Sequence, residues 1–257
     1  MTTTTLHVPR PHGGALSGAI ASEWVKLRTV RSTLWNVLSG IALTGLVATQ
    51  AAINLDHEGG TASYSEPAVS AIQFSQFVVA ALAMLVITSE YSTGSIRSTL
   101  QWTPERHTVL AAKAIVVAPA TFVVGIVLAA TGSLAAIPWL DGTGTSDLGP
   151  LVENFLLIGS YVMLVSLFTL GLGTMIRSAA GTLTTIFLLL LVAPMLLVSS
   201  ENDILRGIGN ALPGGAGNAF LTQNTDQWGP SLALVILVAW VCAALLAAAV
   251  TLRARDA

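Results

Sequence analysis

The chain has 257 residues, of which 53% are hydrophobic and only 9% are charged, and its mean hydropathy is +0.75. Soluble domains carry roughly one charged residue in four, so this composition excludes an ordinary water-soluble domain and favours a membrane protein. The formal net charge of −2 conceals an uneven distribution of charge along the chain and says nothing about nucleic acid, and we expect no nucleic-acid partner. The single cysteine, Cys242, excludes an intramolecular disulfide.

The N-terminal part of the chain divides into a tail and an amphipathic segment. Residues 1–18 are rich in threonine, proline and glycine, which predicts a disordered cytosolic tail. Residues 19–34 carry apolar side chains at helical spacing with the charged ones mostly on other faces, which predicts a helix in the membrane interface. Its headgroup-facing residues are Glu23, Trp24, Lys26, Arg28 and Arg31. The alternative is that these cations only anchor the topology.

Six apolar segments follow, each near the roughly 20 residues that cross a bilayer core of about 30 Å. They are predicted at residues 35–54, 68–88, 109–130, 155–175, 183–198 and 232–252. Residues 19–257 are therefore expected to form one all-α domain with six transmembrane helices.

The distribution of lysine and arginine predicts the orientation of these helices. With six crossings, Arg206 is the one basic residue on the side opposite both termini, and all the others share the side of the termini. Basic residues of membrane proteins concentrate on the cytoplasmic side. We therefore expect a protein of the plasma membrane with both termini in the cytoplasm. Asp56 and Asp147 are then external.

The external segment 199–230 is long for a connection and apolar in its middle. We expect short helices that dip back toward the membrane and are broken at Pro213 and the glycines after it, Gly214, Gly215 and Gly217. The alternative is a disordered outer loop.

The sequence lacks the residue patterns expected for ATP hydrolysis, for an intramembrane metal or Ser–His site, and for proton coupling. The chain has two lysines, Lys26 and Lys113, and neither stands in a phosphate-binding loop, so the chain is not expected to be an ATPase. The histidines all lie outside the predicted spans, which disfavours an intramembrane metal site or a Ser–His dyad. The spans also lack the buried acids of many proton-coupled carriers. We expect no catalysis and no cofactor on this chain.

Neutral polar residues within the spans are candidates for a transport pathway. Gln73 and Gln76 share one helix face, and Thr169 lies in the fourth span. The alternative role for these side chains is hydrogen bonding between helices.

A polar stretch from Ser89 to Arg106 separates the second and third spans. The second helix is expected to end near Gly94, whose backbone suits a helix C-terminal cap, and a short basic piece follows. Thr103 and Pro104 are suited to start the third helix in the cytosol. Lys113, about 15 Å further along that helix, is expected to extend its side chain back to the interface. This stretch is predicted to contact a soluble partner.

Four sequence motifs in order carry a family resemblance: SEWVKLRTVRSTLW at 22–35, SEYSTGSIRSTLQWTPER at 89–106, AAK at 111–113 and ALPGGAGNAF at 211–220. With these motifs the chain resembles the permease subunits of ABC-2 type transporters, notably the actinobacterial kind. The resemblance covers nearly the whole chain.

The resemblance implies a six-helix half-transporter of the type V exporter-like class, in which the N-terminal helix is an elbow helix. It implies a separate ABC ATPase that binds ATP and Mg²⁺, a second permease copy or a paralogue, and export driven by ATP hydrolysis. The loop between the second and third spans would dock on the ATPase as a coupling helix. Its expected contact residues are Glu90, Tyr91, Arg97, Thr103, Pro104 and Arg106. Family members often carry a further basic residue where Ser92 and Thr93 stand here.

Two other functions remain open at this point. One is a secondary carrier that works without an ATPase, for which internal inverted repeats would be the expected sign, and the sequence shows none. The other is a non-transporting scaffold or sensor whose basic faces recruit a cytosolic protein.

Overall fold

The structure, a computed structural model, describes residues 15–58, 63–95, 106–140, 148–223 and 229–254. The described chain is almost entirely helical. In chain order the helices are α1 Ala15–Thr29, α2 Arg31–Glu58, α3 Glu66–Thr93, α4 Arg106–Ala136, α5 Leu148–Ile176, α6 Ala179–Val198, α7 Asp203–Ala211, α8 Pro213–Leu221 and α9 Pro230–Ala254.

Six of the described helices, α2 to α6 and α9, are long and apolar enough to cross a membrane. Each contains one of the predicted apolar segments, which confirms the all-α arrangement with six helices of spanning length. The helices are longer than the apolar segments because polar residues at their ends continue the helical hydrogen bonding. In α3, for example, the helix runs on to Thr93.

Helix α5 lies at the centre of the bundle, packed against α3, α4 and α9. Of its most apolar stretch 67% is buried, compared with 22% for α2 and for α6. Side chains from α5, such as Ile158, Tyr161 and Phe168, form the middle of the main core. The outer helices keep apolar residues exposed, as is typical of helices that are apolar on all sides and solvated by lipid.

Small residues allow the central helices to approach closely. A Cβ atom at Gly125 of α4 would lie 2.8 Å from the Cα of Gly159 on α5, and one at Gly171 of α5 would lie 2.9 Å from the Cβ of Ala244 on α9. The spacing of Gly125 with Ala129 and Ser133 predicts such an approach, and the structure confirms it at Gly125. Close backbone packing replaces the hydrophobic effect as the main attraction between helices in lipid.

Helix α6 contains a five-residue π-helical segment, Leu188–Val192, between two α-helical parts. The backbone N–H of Ala193 donates to the carbonyl of Leu188, five residues earlier. Pro194 follows directly, and it has no N–H to donate. The wider turn therefore lies where the proline already interrupts the hydrogen-bond ladder.

The segment after α6 forms two short helices, α7 and α8, as predicted. Asn202 caps α7, its side chain accepting from the backbone N–H of Ile204 at 2.9 Å. The break between the helices lies at Leu212, which is extended because Pro213 restricts it. The glycines do not break the helix, contrary to expectation. They lie within α8, where a Cβ at Gly214 would overlap the Leu190 carbonyl and one at Gly217 would overlap the Tyr161 ring.

Helix α1 differs in its bounds from the predicted amphipathic segment 19–34. It begins four residues earlier, at Ala15, and ends at Thr29. Residues 31–34 instead start the first spanning helix, α2. The α-helical pattern is interrupted at Val30, between α1 and α2. Residues 1–14 lie outside the described part, so the predicted tail stays a prediction there.

Candidate functional site

Charged side chains from three helices meet at one end of the bundle. Lys113 Nζ on α4 lies 2.8 Å from Glu23 Oε2 on α1 and 2.8 Å from Glu90 Oε1 on α3. Lys26 Nζ on α1 lies 2.7 Å from Glu23 Oε1 and 2.8 Å from Glu90 Oε1. These four contacts close a ring of alternating charge, which we call the charge ring: Glu23, Lys26, Glu90 and Lys113.

The charge ring is buried at three of its four corners. The side chain of Lys113 is 0% exposed, and those of Glu23 and Glu90 are 5% and 8% exposed, whereas that of Lys26 is 45% exposed. Lys113 also donates to the carbonyl oxygen of Val86 at 3.2 Å, so all three N–H bonds of its ammonium are used. Two ammonium groups balance two carboxylates. The neutrality of the ring and the full hydrogen bonding of Lys113 reduce the cost of burying these charges.

The ammonium of Lys26 responds to two opposing influences. Burial alone would lower the pKa of Lys26, but hydrogen bonds and charge interactions with Glu23 and Glu90 outweigh it and raise the pKa above its usual 10.5. Because the pKa of Lys26 is higher in the folded state, its contacts with Glu23 and Glu90 stabilise the fold fully below about pH 10.5. This stabilisation is lost as the pH rises through the folded-state pKa of Lys26. Lys26 therefore keeps its positive charge at neutral pH.

The local sequence explains why these side chains meet. Glu23 and Lys26 are three residues apart and share one side of α1. Helix α3 ends at Gly94, which takes a left-handed conformation with φ of 71° and donates its N–H to the carbonyl of Tyr91. This cap confirms the predicted helix end and places Glu90 in the last turns of α3. Lys113 lies in the second turn of α4, so all three helices bring charges near their ends.

A second contact connects the end of α3 to the turn between α5 and α6. The guanidinium of Arg177 lies 5.0 Å from the centroid of the Tyr91 ring, within the range of a cation–π interaction. Arg177 has a positive φ of 59° in this turn, and Ser178 then caps α6. The residues Glu90 and Tyr91 thus connect α3 to α1, α4 and the α5–α6 turn.

The other predicted contact residues of the coupling loop are only partly described. Arg97, Thr103 and Pro104 lie outside the described residues, and Arg106 begins α4 without a described side chain. Of the elbow residues, Trp24 is 44% exposed with the guanidinium of Arg28 6.0 Å from its ring, and Arg31 is exposed at the start of α2.

Two sequence-based expectations about charge were wrong. Lys113 does not extend to the interface but is fully buried, because α1 covers it and supplies a carboxylate. Glu23 does not lie on an outward polar face of α1 but points into the bundle toward Lys113. The contact of Arg177 with Tyr91 was also missed. A signal was present for Lys113, which lies within the predicted span 109–130, since ionisable residues inside a span usually pair with one another.

The candidate pathway residues make hydrogen bonds inside the protein. The Tyr161 hydroxyl on α5 donates to Gln76 on α3, and Gln73 Nε2 donates to Asn218 Oδ1 on α8 at 3.0 Å. Thr169 donates to the Val165 carbonyl within its own helix. These contacts favour the alternative role of interhelical hydrogen bonding for the two glutamines. A pathway-lining role for any of them stays a prediction.

Within the described residues, no group of three histidine, cysteine, aspartate or glutamate side chains is arranged to hold a metal ion. No protein-family model matches the chain, and a search of curated proteins finds no matching relative. A functional assignment therefore has to come from the charge ring and from the helices that carry it.

Proposed function

We propose that this chain is the membrane subunit of an ATP-driven exporter, which works with a separate ABC ATPase and with a second copy or paralogue of itself. The observation that carries the proposal is the charge ring. Its members come from the three N-terminal motifs of the family resemblance, SEWVKLR, SEYSTGSIR and AAK. Motifs that are far apart in sequence thus contribute to one buried structure.

The position of the ring fits transmission of force from a cytosolic partner. The segment between α3 and α4 is the proposed ATPase contact, with Glu90 just before it and Lys113 just after it. Because these two side chains are joined at 2.8 Å, a push on the segment moves the ends of α3 and α4 together. Glu23 and Lys26 attach α1 to the same unit.

Opening the ring would be costly, which supports its role as a rigid connection. Separating Lys113 from its carboxylates would leave buried charges uncompensated, at a cost of about 3–5 kcal/mol for a buried pair. The contact of Tyr91 with Arg177 extends the connection to the turn before α6. The proposed lever therefore includes α1, α3, α4 and the end of α5.

The proposal is tested by purifying the tagged chain from its native membrane. We expect a P-loop ATPase to co-purify with the wild-type chain and to be lost from the double variant Arg97→Glu, Arg106→Glu. Arg253→Glu, an exposed charge reversal at the end of α9, is the matched control and should retain the ATPase. Size-exclusion profiles check that all variants are equally monodisperse. ATPase retention in the double variant, or absence of any ATPase from the wild type, would contradict the assignment.

A further inference from the structure

A cavity of about 390 Å³ lies between α1, the start of α2, α3 and α4, with the charge ring in its wall. This volume is within the roughly 300–1,000 Å³ typical of small-molecule sites. The cavity is therefore large enough for a ligand and is not a packing defect.

The wall of the cavity changes from polar to apolar along α3. Thr93, Ser89 and Glu90 line it near the helix end, and Leu85 and Leu82 line it further into the bundle. Leu82 and Glu90 are eight residues apart, which is about 12 Å along the helix axis. Helix α4 repeats the order, with Lys113 followed by Val116. Such a gradient suits an amphipathic ligand with its headgroup beside the charge ring and its chain toward the middle of the bundle.

Glu90 lines this cavity, and one of its carboxylate oxygens has no hydrogen-bond partner among the described residues. Glu90 Oε1 accepts from both lysines, but Glu90 Oε2 is buried and makes no hydrogen bond with any described residue. The side chain is 8% exposed, so bulk water does not compensate this oxygen. A buried, charged acceptor without a donor is costly, and a ligand that supplies an N–H would remove that cost.

The part of the polar region at Lys26 and the start of α2 suits an anion. Lys26 Nζ makes two hydrogen bonds with described residues, which leaves one of its three N–H bonds for a ligand. Ser32 and Thr33 line the cavity in the first turn of α2, and this turn contains no acidic residue. The N-terminus of a helix carries partial positive charge and favours phosphate.

We propose that the cavity binds the headgroup and the upper chain of a phospholipid of the phosphoethanolamine type. The primary ammonium would donate to Glu90 Oε2, and the phosphate would lie between Lys26 and the start of α2. The zwitterionic headgroup matches a neutral charge ring, whereas the phosphatidylglycerol headgroup has a net negative charge and offers Glu90 only neutral hydroxyl donors. A quaternary choline ammonium has no N–H and so does not satisfy Glu90. This lipid site requires only the packing of α1 to α4 and does not require the proposed ATPase partner.

The test compares soluble short-chain phospholipids on the purified chain in detergent. Dihexanoyl phosphatidylethanolamine, phosphatidylcholine and phosphatidylglycerol are titrated while thermal unfolding is followed, and adducts are counted by native mass spectrometry. Because a ligand that binds the folded state raises its stability, we expect the ethanolamine lipid to raise the unfolding temperature. Its affinity should exceed that of the choline lipid by about tenfold, as for one hydrogen bond to a charged group.

Leu85→Trp fills the cavity from its apolar wall and leaves the four residues of the charge ring unchanged. It should abolish the response to the ethanolamine lipid. Leu46→Trp makes the same change at a residue of α2 that is 72% exposed and does not line the cavity, and it should keep the full response. Equal affinity for ethanolamine and choline lipids, tighter binding of the glycerol lipid, an unchanged response in Leu85→Trp or a lost response in Leu46→Trp would each overturn the proposal.

Discussion

Replacing Lys113 with methionine tests whether the charge ring holds α1, α3 and α4 together at this end of the bundle. Methionine has a similar length and no charge, so the change removes the ammonium with little loss of volume. It leaves Glu23 and Glu90 buried, with Lys26 as the one remaining cation of the ring. The net charge of the ring then changes from zero to −1.

The size of the effect follows from burial and distance. At 2.8 Å and an effective dielectric constant of about 20, each Lys113–carboxylate contact is worth roughly 6 kcal/mol. The desolvation of the charges offsets much of this Coulomb attraction, and removing one partner of a buried ion pair typically costs about 3–5 kcal/mol. We therefore expect Lys113→Met to lower the free energy of unfolding by about 3–5 kcal/mol.

Lys26→Met is the matched control, because Lys26 contacts the same two carboxylates at the same distances. Its side chain is 45% exposed, so solvent screens these contacts, and we expect a loss of only about 1 kcal/mol or less. Both variants are compared with wild type by equilibrium unfolding in mixed detergent micelles. The double variant Glu23→Gln, Lys113→Met restores neutrality and should recover up to about 3 kcal/mol relative to the sum of the single changes.

Three results would refute this reasoning about the charge ring. One is a decrease in the free energy of unfolding of less than about 1 kcal/mol for Lys113→Met, which would mean that the Lys113 ammonium is not desolvated. Another is an equal loss for Lys26→Met, which would mean that burial does not decide the effect. The third is strict additivity in the double variant, which would mean that Glu23 and Lys113 do not interact.

Two further predictions concern topology and the close packing of α8. Reporters fused after Asp56 and after Asp147 are expected to be active on the external side, as the distribution of basic residues predicts, and a cytoplasmic signal at either position would contradict the orientation. Gly214→Ala is expected to lower the unfolding temperature by several degrees because its Cβ would overlap the main chain at Leu190, whereas Gly207→Ala, with no atom within 4 Å, should not. Equal unfolding temperatures for these two variants would refute the packing argument.

The spanning helices could be predicted from the sequence because each is marked by a contiguous apolar run of spanning length. An apolar run of about 20 residues must satisfy its backbone hydrogen bonds internally in lipid, and the helix is the simple solution. The end of α3 at Gly94 could also be predicted from local sequence, because the left-handed backbone conformation at a helix C-terminus favours glycine. The bounds of α1 were predicted less accurately. Residues Arg31–Leu34 are amphipathic and helical whether they end α1 or begin α2, so their sequence does not show which helix contains them.

The charge ring could not be predicted in this way, because three of its four contacts join residues that are 23, 64 and 90 positions apart. Periodicity shows which side of one helix is polar, but it does not show which neighbouring helix covers that side. The glycines of α8 illustrate the same limit. Their sequence favours a helix break, whereas the packing of α8 on Leu190 and Tyr161 requires residues without a side chain.

On the proposed function, the structure also suggests where movement between helices would occur. Helices α1, α3 and α4 are connected by the charge ring, and α4 contacts α5 at the Gly125–Gly159 approach. Helix α6 is less constrained, since only 22% of its apolar stretch is buried and its ladder is interrupted by the π-helical turn before Pro194. Single π-helical turns are frequent at functional sites. A displacement of the cytosolic segment is therefore expected to move α1, α3, α4 and α5 together, with α6 as the helix that changes its packing.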